Sequence, residues 1–122
     1  MMELSSLPKT WILDIDGTLV KHNGYKIDGH DELLPGVQAF FERLAPEDCV
    51  ILLTARPPEQ IPALKQFLAQ HRLRYNHLIS SCPLGERILI NDAKPSGLCM
   101  AYAIDKKRDT PLEADYRINP EL

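Results

Sequence analysis

The stretch WILDIDGTLV, residues 11–20, puts two aspartates directly after a short apolar run of strand-forming residues. The run TWILDI predicts a buried β-strand that ends near Asp14. Residues two apart in an extended chain face the same side, so Asp14 and Asp16 are expected to point toward one place, with Ile15 facing the core. Gly17 permits a sharp turn after the strand. From these residues alone, an ordinary Asp-Gly turn with solvated carboxylates remains open.

Strand and helix patterns alternate along the rest of the chain. Apolar runs predict further strands at CVILLTA (49–55), ERILIND (86–92) and CMAYAI (99–104), with HLIS (77–80) as a short edge strand. Helical spacing of apolar residues marks PGVQAFFERL (35–44) and PEQIPALKQFLAQH (58–71). This alternation predicts an α/β domain with a mostly parallel sheet. One connection is too short for the usual parallel crossover, because only about seven residues separate HLIS from RILI and such a crossover needs roughly a dozen.

Composition limits the class of protein. The chain has 122 residues, of which 44% are hydrophobic, and a net charge of −3 with mixed signs. We expect one domain over 1–122, with a core at about 10–104 and a charged, loosely ordered tail at 105–122. Without a basic block, a membrane-length apolar run or a signal-peptide pattern, neither nucleic acid nor membrane is an expected partner. Three widely spaced cysteines indicate free thiols, and we expect a soluble cytoplasmic protein.

Oxygen-bearing side chains end three of the predicted strands. Thr54 follows the second run, and Asp92 ends ERILIND. Ligands of open α/β sheets bind outside the carboxyl ends of the strands, so Asp14, Asp16, Thr54 and Asp92 are expected near one site. Such oxygens suit a hard cation such as Mg²⁺ and a phosphate group. Taken singly, Thr54 could instead cap the following helix, and Asp92 could be a turn residue.

The motifs DIDGT (14–18), LLTAR (52–56) and IND (90–92) resemble, in this order, the first, second and fourth motifs of the haloacid dehalogenase superfamily. Most members are Mg²⁺-dependent phosphohydrolases on a Rossmann-like sheet. The resemblance covers about residues 10–104, and the links between the motifs are too short for a cap domain. It therefore implies a capless, minimal member, built as a Rossmann-like three-layer sandwich with a mostly parallel central sheet.

The resemblance also implies roles for individual residues. Asp14 would be the nucleophile that forms an aspartyl-phosphate, and Asp16 the general acid and base. Asp14, the backbone carbonyl of Asp16 and Asp92 would hold Mg²⁺. Thr54 would bind a phosphate oxygen, and Thr18 would support the turn.

Two features depart from the family pattern. Asn91 stands where many relatives have a second aspartate, and the expected lysine is missing near Cys82. Lys94 could reach back and bind phosphate, or it could be an ordinary surface lysine. Arg87 starts its predicted strand and is therefore expected at the wrong end. Without a substitute cation, turnover should fall.

Some side chains near the motifs could have either a functional or a structural role. His22 and Asn23 could touch substrate or be turn residues, and Arg56 could pair with a substrate anion or lie on the surface at a helix start. The basic cluster Lys106, Lys107 and Arg108 is expected to be a solvated face.

Three functions compete at this point. The leading hypothesis is a Mg²⁺-dependent phosphomonoester hydrolase acting on a phosphorylated small molecule or glycan, with its site covered by the substrate itself or by a second subunit of a homo-oligomer. The second is a relative that binds metal or phosphate without turnover. The third, a phospho-accepting receiver domain, is disfavoured because a receiver carries its phosphorylated aspartate at the third strand, and here the D-x-D-G-T motif comes first.

Overall fold

Parallel strands and short helices make up the computed structural model, which describes residues 1–113 and 115–122. The strands are β1 (Met2–Leu4), β2 (Thr10–Asp14), β3 (Cys49–Leu53), β4 (His77–Ile79) and β5 (Tyr116–Ile118). The helices are α1 (Gly24–Ile27), α2 (Val37–Arg43) and α3 (Ile61–Gln70), and a 3₁₀ turn at Pro58–Gln60 precedes α3.

The central sheet has three parallel strands in the order β2-β3-β4. Ile12 of β2 lies opposite Ile51 of β3, and Leu52 of β3 lies opposite Leu78 of β4. The strands predicted at TWILDI, CVILLTA and HLIS are therefore confirmed. So are both predicted helices and the α/β class.

The core forms where α2 and α3 contribute apolar side chains beside the middle strand. Val50 and Leu52 of β3 are fully buried, because alternate residues of a strand share one face. The helical residues buried in the same core cluster are Val37, Phe40, Phe41, Leu64 and Leu68. This packing keeps the carboxyl ends of β2 and β3 at fixed positions.

A second, two-stranded parallel sheet joins β1 to β5 near the two ends of the chain. Tyr116 of β5 packs against Trp11 of β2, with ring centroids 5.2 Å apart. The backbone N–H of Asp109 donates to Gly17, and that of Leu112 donates to Pro35, both at 2.9 Å. The expectation of a loosely ordered tail is therefore wrong for the described residues of 105–122.

The strands predicted at 86–92 and 99–104 are absent, and both segments run as irregular chain. Ile88 and Ile90 are 83% and 92% exposed. The short link after β4 explains this difference, because about seven residues cannot form the usual parallel crossover. Instead, Ser81 donates to the carbonyl of Arg56 and Cys82 to that of Thr54, so the chain turns over the carboxyl end of β3.

β2 is an edge strand within the described chain. Cys49 donates its backbone N–H to the carbonyl of Lys9, and Ile15 donates its own to the carbonyl of Leu53. The backbone N–H and C=O groups of the odd-numbered residues of β2 therefore point toward β3. The N–H and C=O groups of Thr10, Ile12 and Asp14 therefore face the opposite edge, where the described residues supply no strand. A row of unpaired backbone groups of this kind can accept another strand.

The described helices are all short. None of them is both long and apolar enough to cross a lipid bilayer.

Gly36 provides a test of how the tail docks. Its φ is +84°, and an added Cβ would lie 2.4 Å from the carbonyl oxygen of Leu112. Gly29 has a similar φ of +78° but open space around it. We expect both alanine variants to lose about 1–2 kcal/mol from the left-handed backbone. Gly36→Ala should lose about 1–2 kcal/mol more, because the tail must shift and its hydrogen bond to Pro35 weakens.

Urea unfolding of Gly36→Ala and Gly29→Ala measures this difference directly. Equal losses of unfolding free energy in the two variants would contradict the docking of Leu112 against Gly36.

Candidate functional site

The carboxyl ends of β2 and β3 bring together three of the residues singled out from the sequence. Asp14 ends β2, Asp16 follows two residues later, and Thr54 follows β3. The Thr54 hydroxyl donates to Asp16 Oδ2 at 2.9 Å. Thr54 is fully buried, so in this arrangement its hydroxyl serves Asp16 and is not presented to a ligand.

A tight turn fixes the two aspartates. The backbone N–H groups of Thr18, Leu19 and Val20 all donate to the carbonyl of Ile15, and Gly17 adopts a φ of +88°. Ile15, Leu19 and Val20 are completely buried and anchor the turn in the core. The Thr18 hydroxyl donates to Asp14 Oδ2 at 3.0 Å, so Thr18 supports the turn as expected.

Asp14 is the more accessible of the two carboxylates. Its side chain is 32% exposed, and Arg87 Nη1 donates to its Oδ1 at 2.8 Å. The expectation that Arg87 lies at the wrong end of a strand is therefore wrong. Residues 86–92 form no strand, and this leaves the 41% exposed Arg87 side chain able to reach the end of β2.

Arg56 lies at the centre of a buried ionic cluster. Its Nε and Nη2 donate to Asp16 Oδ1 at 3.1 and 2.7 Å. Its Nη1 and Nη2 donate to the two oxygens of Asp31 at 3.0 and 2.6 Å. The guanidinium carbon also lies 3.9 Å from the ring centroid of Tyr25. The interpretation of Arg56 as a surface residue at the start of a helix is wrong, because its side chain is only 3% exposed.

The cluster keeps Arg56 charged. Burial alone would lower its pKa, but the hydrogen bonds that Arg56 donates to Asp31 and Asp16, together with the charges of the two carboxylates, outweigh burial and raise the pKa above its ordinary value. Neither Asp31 nor Tyr25 could be predicted from the sequence. Both lie between the first two motifs, where no regular spacing of residues marks them as functional. They contact Arg56 only because the fold brings residues distant in sequence together.

Lys106 lies at the rim of the same turn. Its Nζ donates to the carbonyl oxygens of Gly17 and Lys107, both at 3.2 Å. Desolvation lowers the pKa of Lys106, while the charges of Asp109 and Asp14 act in the opposite direction. The expected solvated face is thus wrong for Lys106, which is half-buried beside the first motif.

Asp92 and Lys94 lie outside this cluster. They line a hollow with Asn91 and residues 97–101, and neither Asp14 nor Asp16 contributes to that hollow. Asp92 is exposed, and no group of three His, Cys, Asp or Glu side chains within 1–113 and 115–122 could hold a metal ion. The described arrangement therefore does not fit the Mg²⁺ site that the resemblance implies.

The loop after the first motif has ordinary turn contacts. The backbone N–H of His22 donates to Asp109 Oδ1 at 2.8 Å, and Asn23 adopts a φ of +56° directly before α1. These contacts fit the turn reading of both residues.

Comparison of the chain with protein-family models, with curated proteins and with solved structures gives no match.

Arg56 and Arg87 provide a matched pair for a stability test. We expect Arg56→Met to lower the free energy of unfolding by about 2–4 kcal/mol, because it leaves two largely buried carboxylates without their cation. Arg87→Met should change it by less than about 1 kcal/mol, because solvent screens an exposed ion pair. Urea unfolding of both variants checks this, and equal losses would contradict the central position of Arg56.

Proposed function

We propose that the chain is a phosphomonoester hydrolase that works through an aspartyl-phosphate on Asp14. One observation carries the proposal, namely the different environments of two carboxylates at one strand end. Asp14 is partly exposed and lies beside the exposed Arg87, whereas Asp16 is held by buried Arg56 and Thr54. A nucleophile must be reachable, while a general acid and base must be oriented. The two environments match those two tasks.

The first half-reaction would transfer the phosphoryl group to the protein. An oxygen of Asp14 attacks phosphorus, the bond from phosphorus to the alcohol oxygen breaks, and Asp16 gives a proton to that oxygen. Asp16 Oδ2 accepts from Thr54 at 2.9 Å and from Arg56 Nε at 3.4 Å, so the longer contact to Arg56 gives way when this oxygen carries the proton. The products are the free alcohol and phosphorylated Asp14.

The second half-reaction would release phosphate. Asp16, now ionised, takes a proton from water, and the water oxygen attacks phosphorus. The bond from phosphorus to Asp14 breaks, which restores both carboxylates. Because the same residue donates and then accepts the proton, its orientation must persist through both steps.

Two cations near Asp14 would offset the charge of an incoming phosphate. Arg87 donates to Asp14 at 2.8 Å, and Lys106 bonds to the carbonyl of Gly17. Positive charge fixed beside a transferring phosphoryl group is a large contributor to such catalysis. Arg87 and Lys106 are therefore our candidates to replace the lysine that the family pattern expects, whereas Lys94 lines the separate hollow around residues 91–101.

Mg²⁺ could bind at Asp14 as the resemblance implies only if residues 86–92 rearranged. Arg87 and Asp92 are five residues apart, which is roughly 17 Å in an extended segment, so both cannot contact Asp14 at once. Binding of Mg²⁺ by Asp14, the Asp16 carbonyl and Asp92 would require Arg87 to leave. When bound, the metal would replace Arg87 in neutralising charge at the phosphoryl group, and Lys106 would remain beside the turn.

The free edge of β2 supports this rearrangement. Thr10, Ile12 and Asp14 present unpaired backbone groups there, and 86–92 carries the exposed Ile88 and Ile90. Pairing 86–92 in parallel with β2 would complete the Rossmann-like three-layer sandwich. The link after β4 must then cross two strands, roughly 15 Å, and also return toward the amino ends of the strands. Seven extended residues reach roughly 23 Å, so this pairing requires the link to run almost fully extended.

A second candidate function is phosphate binding without turnover. The contact between Arg87 and Asp14 favours it, because a guanidinium that stays on the nucleophile hinders attack on phosphorus. A phosphorylated small molecule or glycan fits either function. In the capless member that the resemblance implies, the loops around Asp14 would contact such a ligand.

Hydrolysis of an aryl phosphate tests the leading proposal. We expect Asp14→Asn to abolish it, because the amide cannot form the aspartyl-phosphate. Asp115→Asn is the control, since that side chain is 76% exposed and pairs with the amino terminus. Equal activity of wild type and Asp14→Asn would contradict the proposal, and phosphate binding with no turnover in the wild type would favour the second candidate.

Hydrogen exchange with and without Mg²⁺ tests the metal and the finer fold. We expect Mg²⁺ to slow exchange at the amides of Thr10, Ile12 and Asp14, because pairing with 86–92 would occupy them. Asp92→Asn should remove this effect, whereas Asp115→Asn should keep it. Protection that is the same in Mg²⁺ and in chelator would contradict the rearrangement.

A further inference from the structure

The strongest unexplained feature is the Arg56 cluster, which connects three separate parts of the chain. Asp16 follows β2, Arg56 follows β3, and Asp31 lies in the loop formed by residues 21–33. Arg56 makes a paired set of hydrogen bonds to each carboxylate. A planar guanidinium bound in this way fixes orientation in addition to charge.

Stability alone does not explain the cluster. It buries two carboxylates on one cation, and such buried ionic groups are often replaceable by apolar residues without loss of stability. Asp16, one of the two, is also the residue that our proposed function needs in a single orientation. The cluster is therefore expected to act on the geometry of the site.

The loop 21–33 is closed at its base and held again farther along. Val20 bridges to Leu33, and the backbone N–H of Lys21 donates to Glu32 at 2.9 Å. Beyond this base, Arg56 binds Asp31 and stacks on Tyr25 at 3.9 Å. One buried side chain thus connects the loop to the end of β3 and to Asp16.

We propose that Arg56 is a positioning residue that fixes the carboxylate of Asp16 and latches the loop 21–33 against the strand ends. The latch follows from the contacts alone, while the kinetic consequence rests on the proposed hydrolase function. Arg56 touches neither Asp14 nor the attacking water in this scheme, so it acts through Asp16 and the loop.

Arg56→Lys is the decisive variant, because lysine keeps the charge but cannot pair with two carboxylates. We expect amide exchange within 21–33 to quicken by about tenfold or more, with no matching change in α3. Asp31→Asn should quicken the same amides, and the double variant should be no faster than Arg56→Lys. Arg72→Lys, at an exposed position, is the control.

Unchanged exchange in the loop, equal quickening in α3, or additive effects of the two substitutions would overturn the latch. These readouts need no enzyme activity, and a conservative variant limits loss of folding. If the wild type hydrolyses no phosphoester, the proposed function fails while the exchange data still decide the latch.

The kinetic arm separates positioning from simple support of the fold. In an active wild type, we expect Arg56→Lys to lower kcat by about a hundredfold with KM changed less than about threefold. The pH profile of kcat should also change shape, because Asp16 handles the proton. An unchanged kcat and pH profile would overturn the action of Arg56 on Asp16.

Discussion

The need to compensate the charge of two carboxylates that follow the edge strand β2 is the constraint on which the rest of the site depends. A turn whose apolar residues are completely buried fixes the backbone that carries Asp14 and Asp16, two residues apart. Two negative charges carried by one fixed turn favour cationic partners. The structure supplies two such partners, a buried guanidinium for Asp16 and an exposed one for Asp14.

Because their cationic partners differ in burial, the two carboxylates differ in how firmly they are held. Arg56 is almost inaccessible and bonded on both sides, so Asp16 has one orientation. Arg87 is exposed and comes from irregular chain, so its pairing with Asp14 is weak and replaceable. An incoming phosphate or metal would therefore disturb Arg87 first and leave the Asp16 cluster in place. The proposed chemistry depends on that difference.

The sequence predicted the parts of the molecule that local pattern and burial determine. TWILDI, CVILLTA and HLIS form the central sheet, and both apolar helical patterns form α2 and α3. The residues 86–92 have an equally good strand pattern but run as irregular chain in this arrangement, because the short link from β4 cannot hold the usual crossover. Strand pattern indicates a propensity, whereas pairing depends on the path of the chain.

In the candidate site, too, only the residues that follow predicted strands could be predicted from the sequence. Asp14, Asp16 and Thr54 follow predicted strands, so their proximity could be inferred from parallel topology. Asp31, Tyr25 and Lys106 could not, because they reach the site through loops whose course no periodicity encodes. Asp92 and Lys94 were expected near Asp14 only on the condition that 86–92 forms a strand.

Mass spectrometry of the phosphorylated intermediate tests the central claim most directly. The protein would be mixed with an aryl phosphate, quenched in acid within the first turnovers, and digested for peptide mapping. The account predicts one added phosphoryl group on the peptide that carries Asp14, and none in Asp14→Asn. Steady hydrolysis with no phosphoryl group on that peptide, or with the group on another residue, would contradict it.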